Sequence, residues 1–130
     1  MAFFKNDGRQ SPAVAVVKFS LADFTDGTLD VVELPGNAIV TGGFITVTTA
    51  FNAGTTATLD LGDGTTADLY LDGGSVAAKG LVSLVPTGDI NTRVGDLTLT
   101  YAETGTAATE GEGVLVLEYI ELGKSEWTQG

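Results

Sequence analysis

Short runs in which apolar residues alternate with Thr, Asp or Glu recur from Ala13 to Leu122, and Gly, Asp and Asn separate them. A two-residue period places successive side chains on opposite faces of a strand, whereas a helix buries positions three and four apart. In Thr56 to Leu61 the residues Ala57, Leu59 and Leu61 point one way and Thr56, Thr58 and Asp60 the other. Leu97, Leu99 and Tyr101 alternate with Thr98 and Thr100 in the same manner. Ile45, Val47, Thr49 and Phe51 share one face, opposite Phe44, Thr46, Thr48 and Ala50. No long segment carries a helical stripe, and Ser75 to Leu81 has room for one turn of helix.

The strand boundaries follow from the punctuation. Ala13 to Phe19 is an almost continuous apolar run, which suits a strand covered on both faces. Thr28 to Leu34 stops at Pro35-Gly36-Asn37, a strong turn signal. Ala38 to Phe51 contains Gly42-Gly43, the mark of a bulge or of a corner between sheets. Thr56 to Leu61 turns through Gly62-Asp63-Gly64 into Ala67 to Leu71, which Asp72-Gly73-Gly74 ends. Leu81 to Val85, Asp96 to Ala102 and Val114 to Leu122 follow, with Gly111-Glu112-Gly113 as a turn before the last. That last run is nearly all apolar at its start and reads as a central strand. About eight strands at regular spacing predict an all-β fold, an antiparallel jelly-roll or β-sandwich. Residues 1–12 read as an N-terminal arm, 13–122 as the sandwich and 123–130 as a C-terminal tail.

The residue inventory narrows the chemistry. A chain of 130 residues can bury a core of its own, and with no Cys it must do so without disulfides. With neither His nor Cys, the Ser-His-Asp and Cys-His arrangements cannot be assembled, and zinc would find only carboxylates. Asp60 with Asp63 and Glu118 with Glu121 are paired acids of the type that hydrolyses glycosides, but acids on strand edges are usually solvated. Asp60 to Asp68 supplies three carboxylates around Gly62 and Gly64, yet the glycines stand where a calcium loop needs oxygen ligands. A hairpin turn explains that segment without an ion. The expectation is a chain that is not an enzyme and carries no metal or cofactor.

Net charge is −11, from 17 acids against six bases. Such a chain is repelled by phosphate backbones and anionic membrane surfaces, so neither nucleic acid nor membrane is an expected partner. The first ten residues lack the basic and apolar halves of a secretory leader, which predicts synthesis in the cytoplasm.

One stretch is more specific. Glu33-Leu-Pro-Gly-Asn-Ala-Ile-Val-Thr-Gly-Gly-Phe, Val47-Thr-Thr-Ala-Phe-Asn-Ala-Gly-Thr-Thr-Ala-Thr-Leu-Asp-Leu-Gly-Asp-Gly and Ala67-Asp-Leu-Tyr-Leu resemble the core strands of jelly-roll structural proteins of tailed bacteriophages. The resemblance is to capsid decoration (cement) proteins and head fibres, and it covers Leu29 to Ile120. It implies a virion protein on the outer capsid surface, made in the host cytoplasm, bound to the major capsid protein and assembled as a homotrimer. It carries no catalytic residue over. The rival reading is a phage fibre or adhesion module that holds glycans, for which Tyr70, Tyr101 and Tyr119 would have to cluster on an exposed face.

Contact residues are sought among large aromatics outside the periodic core. Phe3 and Phe4 lie in the polar arm and Trp127 lies beyond the last strand. Aromatics so placed anchor interfaces, fold back onto the sandwich, or stay disordered. Phe19, Phe24 and the two-sided apolar runs also suggest more apolar surface than one core hides, which favours self-association.

Overall fold

The period-two runs pair into antiparallel sheets in a computed structural model, which describes residues 4–5, 13–24, 26–34, 36–63, 66–91, 95–121 and 128–129. The strands are β1 (Phe4–Lys5), β2 (Ala13–Ser20), β3 (Thr28–Leu34), β4 (Ala38–Thr49), β5 (Thr56–Gly62) and β6 (Leu71–Ser75). They continue with β7 (Gly80–Ser83), β8 (Ile90–Asn91), β9 (Gly95–Thr104), β10 (Glu112–Glu121) and β11 (Thr128–Gln129). One sheet runs β2-β10-β4-β7, with β8 also pairing β4, and the other runs β3-β9-β5-β6. From β2 to β5 each successive strand crosses to the other sheet, and β5 and β6 form the hairpin within one. That interleaving is the jelly roll. β1 and β11 pair only with each other.

The inward rows meet as read. Ile45, Val47, Leu115 and Leu117 of one sheet and Leu59, Leu61, Leu97 and Leu99 of the other are buried in one cluster. Each such side chain stabilises the fold by about 1.5–3 kcal/mol relative to exposure. β10 is central, between β2 and β4.

Four readings need correction. β2 is not covered on both faces: it is an edge strand, with Val14 and Val16 57% and 62% exposed. Of the two readings of Gly42-Gly43, the bulge holds and the corner does not. The register with β10 slips between Glu118 and Tyr119, which bulges β4 within one sheet. The segment expected as a strand at Ala67 to Leu71 is a turn up to Tyr70, and pairing with β5 resumes at Leu71. Gly62 lies so close to the backbone of Thr66 and Ala67 that a Cβ there would overlap them, which folds the chain into a tight loop. Asp72-Gly73-Gly74 lies inside β6 rather than ending it, and the Gly73 N–H donates to Asp60 Oδ1 at 2.6 Å. Finally, β10 already includes Glu112 and Gly113. Gly111 and Gly113 lie against the rings of Phe51 and Phe19, where a Cβ would collide.

An aromatic group closes one end of the sandwich. The Phe51 ring lies 5.3 Å from Tyr101 and 6.4 Å from Phe19, and Phe24 lies 5.9 Å from Phe19 and 5.7 Å from Tyr101. Phe19 is buried and Phe24 packs on the core, so neither supplies the surplus apolar surface expected of them. The Tyr101 hydroxyl donates to Glu103 Oε1 at 2.9 Å, and the Ala108 N–H donates to the same oxygen at 3.2 Å. Burial, then the hydrogen bond to Glu103 and its negative charge, push the Tyr101 phenol up to about 12.

Two outcomes follow. Gly43 has φ +141°, and a Cβ there would collide with the Val116 carbonyl. Gly43→Ala should therefore lower unfolding free energy in urea by about 1–3 kcal/mol. Gly42→Ala, with open space at its Cβ, should change it by less than about 0.5 kcal/mol. Because folding favours the neutral Tyr101 phenol, its contribution is complete below the ordinary tyrosine value of 10.0 and fades as pH rises toward about 12. Melting temperature should accordingly begin to fall above that ordinary value, and Tyr101→Phe should flatten the fall.

Candidate interaction surface

The two outer faces of the sandwich differ in kind. On the β3-β9-β5-β6 sheet the outward positions are Thr28, Asp30 and Glu33 of β3, Asp96, Thr98 and Thr100 of β9, and Thr56, Thr58 and Asp60 of β5. Thr98 Oγ1 donates to Asp30 Oδ1 at 2.9 Å, and the Thr56 and Thr104 hydroxyls meet at 2.7 Å. This is a hydroxyl and carboxylate surface built to face water.

The β2-β10-β4-β7 sheet turns apolar rows outward instead. Val16, Val116 and Phe44 stand side by side across β2, β10 and β4, and Ser83 of β7 completes their row. Beside them run Lys18, Val114, Thr46 and Leu81. Ile120, Ile39 and Ile90 form another row across β10, β4 and β8. Val114, Val116, Phe44, Ile39 and Ile120 are half-buried by their neighbours, yet none packs on the core. The most exposed large apolar residues lie toward the two rims: Val14 and Val16 on β2, and Leu81, Val85 and Ile90 on and after β7. Three ionisable side chains, Lys18, Glu112 and Glu118, share this face.

The sequence carries two-sided apolar runs in β2 and β10, and that of β2 reads as a strand covered on both faces. What separates the cases is the two-layer architecture, which leaves the outer face of each sheet without cover from this chain's own described strands. Of the expected contact residues, Phe4 stands in β1 opposite Gln129. Phe3 and Trp127 lie outside the described residues.

Other candidate chemistry resolves into structure. Asp60 holds the Gly73 amide, and Asp63 Oδ1 accepts the Thr66 N–H at 2.7 Å. No group of three potential metal ligands occurs among the described residues. Tyr70 is buried, and burial followed by the charges of Asp89 and Asp63 raises its phenol. Tyr119 packs on the core and Tyr101 is engaged by Glu103, so the three tyrosines form no exposed cluster for a sugar. Two open depressions, of about 350 and 370 Å³, share Ser20 and Glu112 at one end of the sandwich. No helix of the described residues is long and apolar enough to cross a membrane.

No family model and no curated protein sequence matches the chain. Solved structures do. A chain of the cyanophage Pam1 capsid asymmetric unit aligns with TM-score 0.67 and 20% identity, over 84% of each chain. A chain of the acidic stable capsid structure of Helicobacter pylori bacteriophage KHP30 aligns with TM-score 0.65 and 17% identity, over 91% of this chain and 97% of that one. The jelly roll seen here is thus a fold found in two phage capsid structures, and it is matched along nearly the whole length of both partners.

Proposed function

We propose that this protein is a non-enzymatic structural component of a phage capsid, a decoration or cement protein that binds the major capsid protein on the outer surface of the shell as a homotrimer. The observation that carries this reading is the likeness to chains of two phage capsid structures, over 84% of each chain in one and over 91% of this chain and 97% of that chain in the other. The residue inventory supports it. A chain with no His, no Cys and a charge of −11 has no ready catalytic set and is repelled by packaged DNA, which suits the outside of a shell.

The stabilising mechanism is linkage. A protein that binds only the closed shell shifts its stability by the binding free energy, about 2.7 kcal/mol per site when free protein exceeds its dissociation constant a hundredfold. The arm and tail, residues 1–12 and 123–130, are the proposed attachment segments, with Phe3, Phe4 and Trp127 as anchors.

Quantitative mass spectrometry of purified virions should find this protein at a ratio near one per major capsid subunit. A handful of copies per particle would replace the reading with a fibre or tail component, and absence from virions would refute it. Deleting Met1 to Gln10 should leave a folded protein that no longer binds the shell, and unchanged binding would remove the arm from the attachment.

A further inference from the structure

We infer that the outward face of the β2-β10-β4-β7 sheet is the surface by which copies of this chain join one another, with the β2 rim of one copy against the β7–β8 rim of the next. This deepens the trimer in the reading above and rests on it.

Size is the first argument. Four strands about 4.8 Å apart, carrying about eight residues at about 3.4 Å each, make a face of roughly 500 Å². Apolar side chains fill much of it, with Lys18, Glu112, Glu118, Thr46 and Ser83 among them. A stable contact buries about 800 Å² per partner, more than the flat face offers, so the rims have to take part. The rims are where the exposed apolar side chains stand, at Val14 and Val16 on one side and Leu81, Val85 and Ile90 on the other.

Charge names the occupant. At −11 per chain, two copies repel each other wherever acids face acids. The opposite sheet presents Asp30, Glu33, Asp60 and Asp96, so copies meeting by that face would bury like charge against like. Among the described strand positions of the apolar face the acids are Glu112 and Glu118, with Lys18 beside them and Asp89 next to Ile90 at the rim, so it is the side of less repulsion. The positions of the patches set the symmetry. A contact between two different rims is head-to-tail, and such a contact closes into a ring when the rotation allows.

The test uses sedimentation of the full chain and of three variants. Val16→Asp and Leu81→Asp each place a charge in one rim patch, and Thr58→Asp places one on the opposite sheet. Far-UV circular dichroism and melting temperature confirm that each variant folds, as expected for positions that point outward from the sheets. The wild type and Thr58→Asp should sediment as trimers at micromolar concentration. Val16→Asp and Leu81→Asp should weaken assembly at least about tenfold. Mixing those two variants should then yield a dimer, because one unaltered β2 rim meets one unaltered β7–β8 rim. A monomeric wild type, trimers that persist in both rim variants, or no dimer on mixing would overturn the inference. Binding to purified particles is measured in parallel. If the rim variants stay trimeric but leave the shell, the face meets the capsid and the inference fails while the capsid reading stands. If they fall apart as expected but wild-type trimers never bind particles, the interface stands and the capsid reading fails.

Discussion

The two sheets have no strand in common, so the packing of their inward rows is what holds them together. With no disulfide available, Ile45, Val47, Leu115 and Leu117 have to mesh with Leu59, Leu61, Leu97 and Leu99 closely enough to stand alone. Interiors at crystal-like density feel a single added methyl group, and the glycines show where that limit was met. Gly111 leaves room for the Phe51 ring, Gly113 leaves room for the tip of the Phe19 ring, and Gly43 brings β4 against β10 at the bulge. Phe51 also ties its own loop to the core, because its N–H donates to the Val76 carbonyl at 3.0 Å. The neighbouring Asn52 accepts from Thr109 and Glu110 through one carbonyl oxygen, at 2.7 and 3.1 Å. The end of the sandwich is therefore closed by aromatic packing inside and a single amide side chain outside.

How much of this was legible depended on whether one face or both carried the signal. β5 and β9 alternate strictly, with Thr on one side and Leu on the other, and both strands fall where the pattern puts them. β6 was missed because its residues, Leu-Asp-Gly-Gly-Ser, have the composition of a turn. It pairs because Asp60 holds Gly73 from the neighbouring strand, a contact across 13 residues that no local propensity reports. β2 shows a different limit. An apolar run states that both faces avoid water, but it does not say whether the cover comes from the same chain.

That distinction carries over to function. Phe19 and Phe24 read as surplus and belong to the closing aromatic group, whereas Val14 and Val16 read as covered on both faces and lie in solvent. Large aromatics find partners within a small sandwich because each covers so much area. β-branched residues on an edge strand have no such reach, and their cover has to arrive on another surface. The chemistry of the two outer faces then divides the work: threonine hydroxyls and carboxylates keep one sheet wetted, and valine and isoleucine leave the other ready to be covered.

The edges of the sheets repeat the asymmetry. An unpaired strand edge invites another chain to add to it, and proteins blunt such edges with bulges, charges and short strands. β3 carries Asp30 and Glu33 and is bulged between Asp30 and Val32. β6 has a register shift and two internal glycines, and β7 and β8 are strands of four and two residues that divide one edge between them. β2 alone among these edges runs for eight residues in unbroken register with its neighbour, and Lys18 is its one charged side chain. An edge left this regular, beside the exposed Val14 and Val16, is a liability in a free monomer. The interface inferred above would cover it. Lys18 puts one charge on that edge, which is among the devices that blunt a strand edge.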